Sequence, residues 1–219
     1  MTNPRDSGAL PGHHELDALC GALGLSLVRG ADAAVPDELR PSAVFHLPAA
    51  DIVVRLSSAT PTQEARAALV VSVTRWIADH GGPALAPTSH PQPVWEADTV
   101  ATLWPYLPSP TIPRARDLAT VVRELHQLDA QPPPPPEHQP LARLHEALDL
   151  DTMRDQSVLP TDTRQWLLAR AALLQHAYDM TVTPLGRGLV HADVQPDNLL
   201  QDHDGRWLLI DWDRELRPP

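Results

Sequence analysis

Lysine is missing from this chain. All 17 basic residues are arginine, set against 28 acidic ones, and the formal charge is −11. That balance excludes a protein built to coat nucleic acid or an acidic membrane. Cysteine is almost missing too: the lone Cys20 cannot form an internal disulfide. Its Leu and Ala neighbours mark it as a small core residue, which fits a reducing, cytoplasmic setting. No run of about 18 apolar residues exists, so no membrane span is expected. The N-terminal "MTNPRDSGALPGHHELDALC" carries acids before any apolar run and makes a poor signal peptide. The 11 histidines invite a zinc reading, but HExxH and clustered Cys/His spacings are absent, and "LHEALD" lacks the second histidine.

What is present is a chain of 219 residues that is 42% hydrophobic, enough for a sizeable core in one domain or two lobes. The first 12 residues are expected to be a flexible lead-in, followed by a short helix over 14–23. "AVFHL" and "DIVVRL", joined by "PAA", predict antiparallel strands at 43–47 and 51–56. Ala65, Ala68, Leu69, Val73, Trp76 and Ile77 recur at helical spacing. They predict a helix over 63–80, capped by Thr62 and stopped by Gly81, Gly82 and Pro83. Two more strands are expected at 94–96 and 100–104. An amphipathic helix then carries Leu118, Val121, Val122, Leu125 and Leu128 on one face. "QPPPPPEHQP" reads as a stiff spacer. A further helix is expected over 163–180, with Trp166 and its Leu/Ala stripes in the core, as for Trp76.

The chemistry concentrates in "GLVHADVQPDNLLQDHDGRWLLIDWD". "NLLQ" and "RWLLID" are apolar runs flanking "DHDG", and Asp204-Gly205 is a strong turn signal. A hairpin there brings Asn198 near Asp211, with Asp193 on the loop before it. A carboxylate plus an amide carbonyl is hard-oxygen ligation suited to Mg²⁺. A separate loop aspartate can accept the proton of an attacking hydroxyl.

"HADVQPDNLL" followed by "LLIDWD" resembles the paired signature of the aminoglycoside phosphotransferase-like kinases, H-G-D-x-x-x-x-N and then I-D-[WFY]-[DE]. That family is related to the protein kinases. The resemblance implies an α+β, protein-kinase-like fold with a small β-rich N-lobe (1–104) and an incomplete helical C-lobe (105–219). It implies Asp193 as catalytic base, His191 as the residue bracing the loop, Asn198 and Asp211 as Mg²⁺ ligands, and Asp213 as a second acidic position. Arg55 would hold the nucleotide's phosphates, partnered by Glu64. Residues 102–107, with Thr102, Trp104 and Tyr106, would form the hinge that binds the adenine through its backbone. The implied activity is transfer of a γ-phosphate from ATP, or another nucleoside triphosphate, with Mg²⁺, to a small-molecule hydroxyl acceptor. Neither nucleic acid nor membrane is an expected partner. The alternative is a truncated pseudokinase that binds nucleotide or protein without catalysis.

The chain departs from the family pattern in several places. Arg55 stands where a lysine is usual, and no glycine lies between Gly30 and Gly81 to build a glycine-rich phosphate loop. Ala192 replaces a glycine, which is harmless if its φ is negative. Relatives also continue for several helices past the metal aspartate. An exposed apolar face, covered by a second copy or a partner, is therefore expected.

Overall fold

The computed structural model describes residues 12–25, 42–108, 111–128, 141–154, 156–182 and 188–212. Nearly all of the expected lead-in, the polyproline spacer and Asp213 lie outside these residues. The chain packs as two compact units, one of Met1–Pro136 with Leu189–Pro219 and the other of Glu137–Gly188. The C-terminal hairpin therefore belongs to the same unit as the N-terminal sheet, a division different from the lobe boundary expected at 104/105.

In the first unit, helix α1 (His13–Leu23) precedes strands β1 (Ser42–Leu47) and β2 (Ile52–Ser58). Helix α2 (Pro61–Asp79), strands β3 (Val94–Glu96) and β4 (Thr99–Pro105) and helix α3 (Ala115–His126) follow. The four strands form an antiparallel sheet in the order β1-β2-β4-β3. Strand β2 alternates strictly: Ile52, Val54 and Leu56 are buried, whereas Val53, Arg55 and Ser57 are only partly so. Successive side chains of a strand point to opposite faces, so the two sets line two different surfaces. The first set packs with Leu16, Leu19 and Cys20 of α1 and with Phe45 and Leu47 of β1. The second faces α2.

Helix α2 is capped by Thr60, whose hydroxyl accepts from the Gln63 amide at 3.3 Å, with Pro61 at the first helical position. The expected cap, Thr62, sits inside the helix, because proline at N1 moves the cap one residue before it. Val70, Val73 and Ile77 of α2 meet Val121 and Leu125 of α3 in a second core. Gly82 follows the helix because nothing larger fits: a Cβ there would lie 2.5 Å from Ile77 Cγ2 and 2.9 Å from Leu128 Cδ1.

That second core is closed by the C-terminal hairpin. A 3₁₀ turn at Pro196–Asn198 leads into β5 (Leu199–Gln201), which pairs with β6 (Trp207–Leu209). Leu199, Leu209 and Trp212 complete the core. The hairpin is also tied to the segment after α2, since the Leu209 amide donates to the Pro83 carbonyl at 2.8 Å and the Leu85 amide to the Leu209 carbonyl at 3.2 Å. Arg206 adds a bond to the Gly81 carbonyl at 2.6 Å.

The second unit holds α4 (Ala142–Thr152) and α5 (Thr161–Asp179). The sequence reading missed α4 as a separate element. Arg164 of α5 clamps their junction, pairing with Asp151 and donating to the Leu148 carbonyl at 2.6 Å. Helix α5 is apolar on nearly every side, a composition that usually marks a buried helix. Here Ala171 alone among its residues is buried. Trp166 is 64% exposed and Leu173 63%, so the expectation that they form core is overturned. No helix among the described residues is long and apolar enough to cross a membrane.

Candidate active site

The hairpin and the loop before it gather the polar residues of the C-terminal motif. His191 is 3% exposed and its Nε2 donates to the Ile210 carbonyl at 2.8 Å, while Trp212 meets its ring edge-on at 4.5 Å. Donation from Nε2 places a proton on that nitrogen, so the neutral ring is the Nε2–H tautomer. Burial is the main cause that pushes its pKa below the usual histidine value, against opposing pulls from the Ile210 carbonyl, Asp193 and Asp211. His191 thus pins the loop to the end of β6 and carries no proton to spare.

A pH dependence follows. As pH falls through the ordinary histidine value near 6.5, the unfolded chain takes up a proton that the folded chain refuses. This contribution to stability is complete above that value and is lost as pH falls toward the lower folded pKa. His191→Gln should flatten the decline, measured as the wild-type minus variant difference in urea unfolding free energy at pH 7.5 and 5.5. A difference that does not change with pH would refute a buried neutral histidine.

Asn198 is 5% exposed, and its amide nitrogen donates twice to Asp193, to the carbonyl at 2.8 Å and to Oδ2 at 3.1 Å. The loop from Asp193 to Asn198 is thereby closed on itself, and Asp193 is oriented by the residue five positions on. With the nitrogen committed to Asp193, the amide oxygen is the atom suited to a cation. The Ile210 amide donates to the Asn198 carbonyl at 3.0 Å, which sets Asp211 beside Asn198 as the hairpin register requires.

Two residues here hold left-handed backbone: Ala192 at φ 58° and Asp211 at φ 66°. The condition under which alanine at 192 would be harmless is not met. A left-handed alanine is strained by about 1–2 kcal/mol, whereas aspartate tolerates the region better. Ala192→Gly should stabilise the protein by a net of about 1 kcal/mol once glycine's extra unfolded-state entropy is counted. That corresponds to roughly 2–4 °C in Tm for a protein of this size, readable by calorimetry. A lower Tm would show that the loop is unstrained.

Arg55 reaches this site from the sheet. Its Nη1 donates to Asp211 Oδ1 at 2.8 Å and its Nε to Ser42 Oγ at 2.9 Å. The side chains are 21% and 10% exposed, so the ion pair is largely shielded from water. The expected partner was Glu64, and among the described residues that pair is not formed. The cleft between the sheet and α2 explains why: α2 turns Gln63, Arg66, Ala67 and Val70 toward Arg55, at positions 0, 3, 4 and 7 of one helix face. Glu64 is one residue out of phase. Sequence reasoning missed Ser42, Gln63 and Arg66. Ser42 could have been found from the period of two in β1, which places it on the same face as Val44, the register partner of Arg55.

Ser57, Val100, Thr102 and Trp104 line the sheet side of the cleft. Thr102 is buried, and its hydroxyl accepts from Trp104 Nε1 at 2.9 Å. Tyr106, just past β4, stacks on His46 with ring centroids 3.8 Å apart.

An antiparallel sheet with a helix on its inner side, an Asp-bearing loop and a hairpin ending in a second Asp define a kinase-like phosphotransfer fold. The family model described as the phosphotransferase enzyme family matches residues 34–214. The chain belongs to that family and is a small-molecule phosphotransferase. Nothing in the comparisons supports the non-catalytic alternative. Among solved structures it is similar to the aminoglycoside phosphotransferase APH(3'')-Id from Streptomyces rimosus in complex with ADP and streptomycin. The TM-score is 0.64 at 18% identity, covering 94% of this chain and 77% of that one. It is also similar to the choline kinase LicA from Streptococcus pneumoniae, with TM-score 0.56, 14% identity and coverages of 94% and 70%. The GDP and kanamycin complex of APH(2")-IIia matches with TM-score 0.56, 14% identity and coverages of 93% and 73%. At these identities the likeness speaks to fold alone. No curated protein matches the chain.

Proposed function

We propose that this chain transfers the γ-phosphate of ATP to a hydroxyl of a small molecule, with Asp193 as the base. The observation that carries the reading is the Asn198 amide holding Asp193 by both its carbonyl and its carboxylate. In a reaction that needs little covalent help from the protein, positioning of the acceptor and matching of charge supply most of the rate. Asp193 would align the acceptor hydroxyl and take its proton as the oxygen bonds to the γ-phosphorus and the nucleoside diphosphate departs.

The amide oxygen of Asn198 and the carboxylate of Asp211 form an all-oxygen donor set that fits Mg²⁺. Mg²⁺ bound there would offset negative charge on the phosphates. Arg55, fixed by Ser42, would steady the same phosphates. The adenine would lie against residues 102–107, read by backbone groups, with Trp104 and Tyr106 at its margin. Glu64 is not among the residues lining the cleft, and Asp213 keeps the role of a second acidic position implied by the family motif. The net charge of −11 suits a cationic acceptor, of the aminoglycoside kind bound in similar structures or the amino-alcohol kind in the name of the choline kinase. A reducing, cytoplasmic setting is part of this reading, on the strength of the single buried Cys20.

The test is ATP consumption with Mg²⁺ across a panel of aminoglycosides and amino alcohols. Turnover stimulated by at least one acceptor is the expected result. Mg·ATP binding with no turnover on any acceptor would overturn it.

A further inference from the structure

We propose that Gln92 is a positioning residue for the nucleobase: its side-chain amide takes the place of a strand beside the hinge and fixes the backbone that the base rests against. The inference rests on the nucleotide reading above and adds a residue that no motif singles out.

Strand β3 leaves β4 before the hinge is reached. Their register ends with Val94 opposite Ala101; continued, it sets Pro93 opposite Thr102 and Gln92 opposite Leu103. Proline has no N–H to give to a ladder, and the pairing stops there. At Leu103 the Gln92 side chain takes over. The Leu103 amide donates to Gln92 Oε1 at 2.8 Å, and Gln92 Nε2 donates to the Leu103 carbonyl at 3.2 Å. Those are the two bonds that a hydrogen-bonded pair of antiparallel residues exchanges. A side-chain amide can make them because it carries the donor and acceptor of a peptide. Thr88 holds the amide in turn: Nε2 donates to its carbonyl at 3.0 Å and to its hydroxyl at 3.3 Å. The Thr88 amide itself donates to the Leu103 carbonyl at 3.0 Å.

Leu103 sits where such a hold matters. Its neighbours Thr102 and Trp104 line the cleft, while its own side chain is buried in the α1 core on the other face of the sheet. A base read by backbone groups is placed only as well as that backbone is held. On its inner side β4 is paired with β2 as far as Pro105, and the Tyr106 amide then donates to the Asp51 carbonyl at 2.8 Å. Gln92 holds the outer side, beyond the last pair with β3. The phosphate end of the cleft is fixed by different bonds, from Arg55 to Ser42 and to Asp211, none of which involves Gln92. Removing the Gln92 amide should therefore loosen the hinge and leave the phosphate end in place.

The experiment is calorimetric titration of wild type, Gln92→Met and Gln92→Asn with Mg·ATP, adenosine and Mg·tripolyphosphate. Methionine keeps the length and bulk of the side chain and makes none of its bonds to Leu103 and Thr88. Gln92→Met should weaken Mg·ATP and adenosine alike by about five- to tenfold, with Mg·tripolyphosphate within about twofold. Asparagine keeps the amide but draws it back by a methylene, so Gln92→Asn should show the same pattern with a smaller loss and serves if the Met variant does not fold. Unchanged adenosine affinity in the variants would overturn the proposal. An equal loss for Mg·tripolyphosphate would also overturn it, by showing that Gln92 only supports the fold as a whole. Wild type that binds Mg·tripolyphosphate as tightly as Mg·ATP, and no adenosine, removes the base contact and this inference while leaving the phosphate site standing. Wild type that binds none of the three removes the nucleotide reading and this inference with it.

Discussion

Asp193→Asn is expected to lower turnover by about 10²–10⁴-fold, the usual contribution of a positioned general base, while Mg·ATP affinity stays within about threefold. The substitution is a clean probe because of how Asn198 holds this residue. One of its two bonds goes to the Asp193 backbone carbonyl, which no side-chain change touches. The other goes to Oδ2, and an asparagine can present its own amide oxygen at the same place. The loop therefore keeps its closure, and what disappears is the carboxylate's capacity to take a proton. Single-turnover kinetics with a productive acceptor, alongside equilibrium titration of nucleotide, separate the two effects. Wild-type turnover in the variant would remove Asp193 from the mechanism. A matching loss of nucleotide affinity would mean that the loop had collapsed.

The second large effect is expected at Asp211→Asn. Asparagine tolerates left-handed backbone at least as well as aspartate, so φ 66° is no obstacle, and the change isolates charge. Two things are lost together: the anionic oxygen proposed for Mg²⁺ and the attraction that aims Arg55. Transition-state charge stabilisation by a bound metal is worth several kcal/mol, so turnover should fall roughly a thousandfold. The Mg²⁺ concentration required for half-maximal rate should rise as well. Arg55 keeps Ser42 as a partner, so the stability loss should be modest, about 1–2 kcal/mol for a partly shielded charged hydrogen bond. Urea unfolding measures that loss independently of the kinetics. A variant with the wild-type rate and Mg²⁺ dependence would place the metal elsewhere.

The elements that the sequence reading found are those whose punctuation is strong. Gly81-Gly82-Pro83 ended α2 and Asp204-Gly205 turned the hairpin, because such residues act locally. The face that α2 turns to the core was largely legible: Val73 and Ile77 of the expected stripe are buried there with Val70, and Leu69 and Trp76 pack against them. The partner of Arg55 was not, because Glu64 was expected as the one acid in the first turn of the helix, and residue type alone does not say which way a side chain is turned. Trp166 failed for a related reason: composition reports what a side chain prefers, not what the chain supplies to cover it. The backbone sign at Ala192 was also out of reach, since alanine gives no signal of the strain it is made to hold.

The hairpin that closes the second core has a consequence for how the protein is made. Val70, Ile77, Val121 and Leu125 share their core with Leu199, Leu209 and Trp212, and Arg55 pairs with an aspartate 156 residues further along. At a synthesis rate of about 5–20 residues per second, roughly 8–30 s separate the emergence of the two halves of that ion pair. The intervening Glu137–Gly188 is extruded during the delay. A domain whose first and last segments share one core is slow by topology, and its nascent form shows chaperones an uncovered apolar flank of α2. Its yield in cells should respond more to chaperone supply and translation speed than the stability of the finished fold would suggest.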